Sequence, residues 1–129
     1  MPFERTFTDT RWEQEVGYCR ALKAGNHVYV TGTAPINPDG TTHAPGDPYA
    51  QTKRCLEIIQ AALEDLGATT ADVVRTRLFV TDIDSFEGFG RAHKEVFGDH
   101  PPCTTMVEVT ALVQPDMLIE IEADAVVLP

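Results

Sequence analysis

The stretch Met117-Leu118-Ile119-Glu120-Ile121-Glu122-Ala123-Asp124-Ala125-Val126-Val127 alternates with a period of two. Ile119, Ile121, Ala123 and Ala125 fall on one side and Glu120, Glu122 and Asp124 on the other, the pattern of an extended strand with one buried face. Neighbouring carboxylates on such a strand stand about 6.6 Å apart. At that spacing they repel and raise one another's pKa unless water or a cation relieves them. The acidic row is either a solvated outer face or the floor of a polar pocket, and the pattern alone leaves both open.

Reading outward from that strand, Thr105 to Leu112 forms another, joined to it by a turn at Gln114-Pro115-Asp116. Asp72 to Asp82 carries Val73, Val74, Leu78, Phe79 and Val80 almost without interruption, as expected of a central strand covered on both faces. Between these two segments, Asp84 and Glu87 have capping-box spacing ahead of a helix that runs to about Phe97, with Phe86, Phe89, His93, Val96 and Phe97 as its inner face.

Upstream, Cys55, Ile58, Ile59, Ala62, Leu63 and Leu66 recur at helical spacing. Asp47 is placed as that helix's N-cap, Pro48 at its first position and Gly67 just past its end. Pro35 to Gly46 reads as a surface loop. Phe3 to Phe7 reads as a short strand. Gly17 to Lys23 and His27 to Ala34 read as two strands joined by a tight turn at Gly25-Asn26. The order β-β-β-α-β-α-β-β predicts a single α+β domain over residues 1–129, a mixed sheet with two helices on one face. The other face, part apolar and part acidic, is then expected to meet further copies of the chain.

The chain has 129 residues, 20 acids against 10 bases and a formal charge of −10. That is enough chain for a core without disulfides or metal. Such acidity opposes binding to phosphate backbones, and no basic run interleaved with aromatics offsets it. Cys19, Cys55 and Cys103 form no CxxC pair, and His27, His43, His93 and His100 form no HxH or HExxH pair, so neither a disulfide framework nor a metal centre is expected. There is no apolar run of about 20 residues to span a membrane, and the first fifteen residues lack the apolar core of a signal peptide. A reduced, cytoplasmic protein is the expectation.

Among residues that could carry chemistry, Glu120 leads, because a carboxylate on a rigid strand beside a subunit contact can be desolvated toward a useful pKa. The alternative is an ion pair with Arg75 or Arg77. Glu122 and Asp124 read as solvent-facing or paired, and His93 as a hydrogen-bonded core or interface residue. Cys55 faces the core, where a thiol is inert. His100 and Cys103 share a loop but have no Asn or Asp at a spacing that would complete a nucleophile. Gly32 interrupts a strand pattern, which marks close approach by a ligand or another backbone.

Together, Val16-Gly17-Tyr18, Gly25 to Gly32 (GNHVYVTG), Asp72 to Thr76 (DVVRT), Phe79 to Asp82 (FVTD), Thr105 to Val109 (TMVEV) and Ile119 to Ala123 (IEIEA) resemble, in order and spacing, the Rid family, also called YjgF or L-PSP. The resemblance spans nearly the whole chain. It implies a chorismate-mutase-like subunit in a homotrimeric barrel, with ligand clefts between subunits. It further implies cofactor-free hydrolysis of reactive imines and enamines such as 2-aminoacrylate, as in the RidA type. Glu120 would position the water, with Tyr18 and the Thr31-Gly32 pair in the same cleft. Phe89, Gly90, Thr104 and Met106 map to the rest of the lining, and backbone amides near Met106 would hold developing charge.

The sequence departs from the RidA type at two of these places. Thr104 stands where those members carry a substrate-clamping Arg, and Gly90 stands where they carry an Asn. A hydroxyl cannot replace a bidentate guanidinium. The ligand is therefore expected to be neutral or cationic, or else Arg20 or Arg91 supplies the missing charge. The competing readings are a noncatalytic metabolite-binding or chaperone-like trimer and, ranked last because of the acidity, an endoribonuclease.

Overall fold

The computed structural model describes residues 2–129, so Met1, the first residue of the stretch read for a signal peptide, lies outside it. Six strands form one sheet: β1 (Glu4–Thr6), β2 (Ala21–Ala24), β3 (His27–Thr33), β4 (Val73–Val80), β5 (Cys103–Glu108) and β6 (Ile119–Val126). Their spatial order is β1-β2-β3-β6-β4-β5; every pairing is antiparallel except β4 with β5. The C-terminal strand is thus central, wedged between β3 and β4.

The alternation in β6 sorts as its residues dictate. Ile119, Ile121, Ala123 and Ala125 are buried against the helices, and the three acids are half-buried on the opposite face. Helix α2 (Pro48–Asp65) begins where expected, with the Asp47 carboxylate accepting from the Ala50 amide and Pro48 in the first turn. Gly67 follows it at φ +80°, a left-handed geometry that suits glycine. Cys55, Ile59, Ala62 and Leu63 seal its inner stripe, and each large apolar side chain so buried contributes about 1.5–3 kcal/mol. Ile58, predicted in that stripe, is only half-buried.

Several expectations need correction. A third helix, α1 (Arg11–Val16), lies between β1 and β2, closed by a Thr10–Glu13 capping box and ended by Gly17 at φ +88°. This shortens the strand expected over Gly17 to Lys23 to Ala21–Ala24. The last helix, α3 (Phe86–Phe97), has Ser85 and not Asp84 at its N-cap. Asp82 instead accepts from the Asp84 amide and caps the single 3-10 turn Ile83–Ser85 that precedes α3. Phe86 is exposed, while Phe89 and Phe97 are buried as predicted. Strand β4 is covered on one face only: Thr76, Leu78 and Val80 are buried, whereas Val74 and Arg75 are exposed. Strand β5 ends at Glu108 and is a sheet edge, with most of its residues exposed.

Candidate functional site

The end of β3 and the start of β6 build the centre of a cleft of about 970 Å³. Register in β3 shifts between Val30 and Thr33, and there the Gly32 backbone passes close to the Glu120 carboxylate. A β-carbon on Gly32 would lie 2.8 Å from Glu120 Oε2. Gly32 is not in the left-handed region, so the glycine provides room and not conformational freedom. The group that approaches Gly32 is thus a side chain of the same molecule, where a ligand or another backbone was expected.

Glu120 lines this cleft with Tyr18, Arg20, Gly32 and Arg54. Burial raises its carboxyl above the usual carboxylate value of 4.5; the Arg20 charge opposes that rise and Glu122 adds to it. The anticipated pairing with Arg75 or Arg77 does not occur. Arg77 instead reaches Asp124 at 3.3 Å and Glu122 at 3.5 Å, leaving Glu120 without an ion-pair partner among the described residues. A partly dry, unpaired carboxylate of this kind can accept a proton from water.

Arg20 is the group that sequence reasoning weighed only as a possible charge donor. It is buried, and its guanidinium is largely occupied. Nη2 donates to Glu13 Oε2 at 3.2 Å, Nη1 to the Gly32 carbonyl at 3.0 Å and to Thr33 Oγ1 at 3.2 Å, and Nε to Thr8 Oγ1 at 3.2 Å. Burial alone would raise the Glu13 carboxyl, but hydrogen bonds from Thr8, Thr10 and Arg20 outweigh it and hold it low. Glu13 and Arg20 are thus paired with each other, and neither forms an ion pair with Glu120. The local signal for Glu13 was the Thr10-x-x-Glu13 spacing, a capping box in a segment too short to show helical periodicity. Arg91 is remote from this network: it stacks 4.0 Å above the Tyr49 ring, whose hydroxyl donates to Glu95.

The remaining predicted residues divide. Thr31 opens on an adjoining cavity of about 430 Å³ shared with Tyr18 and Cys19, and its hydroxyl donates to the Cys19 carbonyl at 2.8 Å. Phe89, Gly90, Thr104 and Met106 do not join Glu120 within one chain. Glu120 pairs with Phe79, and Phe79 with Val107, so those three share the open face. Thr104 and Met106 pair with the buried Thr76 and Leu78 and therefore point to the helix side. The Thr104 hydroxyl lies 2.8 Å from Thr76 Oγ1, which in turn lies 2.8 Å from His93 Nε2. His93 thus takes the hydrogen-bonded role anticipated for it, and burial lowers its pKa. Phe89 is packed in the core. Gly90 is half-buried, with open space where a β-carbon would stand.

Cys55 is sealed under α2, where burial drives its thiol pKa far up, the Glu120 charge adds to the rise, and the Arg54 and Arg20 charges oppose it. The described residues contain no cluster of His, Cys, Asp and Glu suited to a metal ion, and no helix long and apolar enough to cross a membrane.

Comparison with known proteins identifies the family and agrees with the fold. The chain is 38% identical over 125 residues to a RutC family protein of Pyrococcus abyssi, covering 97% of this chain and 98% of that one. It is 34% identical over 112 residues to the 2-iminobutanoate/2-iminopropanoate deaminase of Escherichia coli strain K12, covering 84% and 86%. A crystal structure of a YjgF/YER057c/UK114 family member from Mycobacterium tuberculosis superposes with a TM-score of 0.89 at 44% identity, covering 98% of this chain and 100% of that one. The family model described as Endoribonuclease L-PSP matches residues 8–127, and the chain belongs to that family, the Rid or YjgF proteins.

Proposed function

We propose that the protein is a cofactor-free hydrolase of small C=N compounds, an imine or enamine deaminase with an altered substrate range, working in a cleft that copies of the chain complete together as a trimer. The observation that carries the reading is Glu120: unpaired, partly desolvated, raised in pKa and lodged against Gly32 at the cleft wall. The resemblance assigns Thr104 and Met106 to the same cleft as Glu120, and in their own chain they lie across the sheet from it. The assignment therefore fits an assembly in which a second copy brings them to Glu120. The open face fits such an assembly, since it leaves Tyr29 and Val107 between 42% and 48% exposed.

In this mechanism a protonated imine lies over Glu120. Water adds to the C=N carbon as its proton passes to the Glu120 carboxylate, giving a carbinolamine. Glu120 then protonates the nitrogen. The C–N bond breaks, the hydroxyl proton passes to Glu120 as the carbonyl compound forms, and the departing ammonia takes that proton from Glu120 to leave as ammonium, which restores the carboxylate. With the Arg20 guanidinium engaged by Glu13 and Thr104 uncharged, an anion placed directly beside Glu120 would meet like charge, so a cationic iminium is favoured there. General-base assistance contributes about 10²–10⁴-fold. Ammonia release from an N-unsubstituted imine should therefore fall by about 10²-fold or more in Glu120→Gln. Turnover that is unchanged in that variant removes the mechanism. If ligands bind without turnover even in the wild type, the protein is a metabolite-binding trimer instead.

A further inference from the structure

Arg54 stands on the α2 wall of the same cleft, half-buried, and the mechanism above gives it no task. Its Nε donates to the Ile36 carbonyl at 2.9 Å, which fixes the guanidinium plane against the loop that follows β3. Among the described residues no acid pairs with it and its Nη nitrogens have no hydrogen-bond partner. A guanidinium carries five N–H donors in a planar fork, and with only Nε–H answered by protein the Nη donors of this cleft-lining residue are left over for a ligand.

The other charges of the cleft are differently disposed. Arg20 is enclosed by Glu13, Thr8, Gly32 and Thr33. Arg11 is exposed and rests 5.3 Å from the ring of its neighbour Trp12. Asp39 accepts from the amide and hydroxyl of Thr41, and Asp9 is exposed on the N-terminal rim. Beside Arg54 stand Ile36, whose carbonyl it holds, and Ile58, one turn further along α2; Trp12, Val16 and Val113 line the same cleft, as do the polar Asn37 and Gln114. A pre-oriented guanidinium with free donors beside an apolar surface is the arrangement that holds a carboxylate through two parallel hydrogen bonds.

We infer that Arg54 is the anion-binding residue of the cleft, and that the ligand joins a carboxylate, held on α2, to an apolar body lying along Ile36, Ile58 and Trp12. The charge missing at Thr104 is thereby supplied from a helix wall and not from β5. With Glu120 forming a separate negative end, the C=N group and the carboxylate of the ligand are read by different elements. Only this last clause rests on the proposed hydrolysis; recognition of the carboxylate does not.

The test is equilibrium binding, by calorimetry on the full chain, of 3-phenylpropanoate, its neutral amide 3-phenylpropanamide, and propanoate. The wild type should bind 3-phenylpropanoate about tenfold more tightly than either of the others, because the amide lacks the charge and propanoate lacks the apolar body. Arg54→Gln should bring the acid and its amide within about twofold of each other, Arg54→Lys should recover part of the preference, and Arg11→Gln should keep all of it. A wild type that binds acid and amide alike, or a preference that survives Arg54→Gln, overturns the inference. The wild-type comparison does so without relying on any variant's folding. Arg54-dependent binding together with unimpaired turnover in Glu120→Gln would retire the hydrolytic mechanism and leave this inference standing.

Discussion

Replacing Gly32 by alanine separates the site from the scaffold that holds it. The new β-carbon would stand 2.8 Å from Glu120 Oε2 and 3.1 Å from its Cδ. Non-bonded carbons settle near 3.5–4.0 Å, so the carboxylate must retreat by about 0.5–1 Å. The displaced atoms are the tip of a flexible side chain, and the Gly32 backbone is not left-handed, so alanine is tolerated there. The loss of stability should stay below about 1 kcal/mol. A shift of about 1 Å in a reacting group costs about 10²-fold in rate. The carboxylate moves toward water, which relieves the desolvation that raises its pKa. Three measurements belong together: the thermal midpoint, the titration of the Glu120 carboxyl followed by carbon-detected NMR, and ammonia release from an imine. The expected outcome is a nearly unchanged melt, a Glu120 midpoint lowered toward 4.5, and turnover close to that of Glu120→Gln. A strong loss of stability with titration and turnover unaltered would show that Gly32 serves the backbone alone, and the reasoning would fail.

Other perturbations follow from the same charges. Arg20→Met leaves Glu13 buried and uncompensated, which should cost about 3–5 kcal/mol in chemical denaturation; adding Glu13→Leu should restore much of that, and failure to do so would deny the pairing its structural role. Glu120 has a folded pKa above its unfolded value, so its deprotonation opposes folding, and the penalty develops as pH rises from about 4.5 through the raised pKa. Glu120→Gln should accordingly raise the thermal midpoint at pH 7 and leave it unchanged at pH 4. Glu13 has the opposite sign: its depressed pKa adds stability above about pH 4.5 that is lost as pH falls through the folded value. Glu13→Gln should therefore flatten the acid limb of the stability curve. Finally, the double variant Gly90→Asn with Thr104→Arg should gain ammonia release from 2-aminoacrylate, and no gain would count against the mapping of those two positions to the cleft.

The frame of the fold was legible because its signals are local. The two-residue alternation of β6, the Asp47-Pro48 opening of α2 and the turn at Gly25-Asn26, with Gly25 at φ +60°, each need only a few neighbouring residues. Helix α1 was missed because six residues are less than two turns, and Thr10 and Glu13 gain their meaning from Arg20 further along the chain. The outer face of β4 was misread because Val73-Val74 and Phe79 resemble a doubly covered strand until the two helices are seen to lie on one side. At the site, Glu120 and Gly32 were each singled out, but their mutual contact depends on the register shift in β3, which no pattern announces. Arg54 gave no local signal at all. It occupies the polar side of a helical stripe, and its place in the cleft is set by how α2 docks on the loop at Ile36.

The most direct test of the account is a crystal structure at neutral pH with an imine analogue bound. A ligand touching the Glu120 carboxylate of one copy and Thr104 or Met106 of a second is the predicted result. A lone subunit whose Glu120 faces bulk water, with the ligand elsewhere, would contradict it.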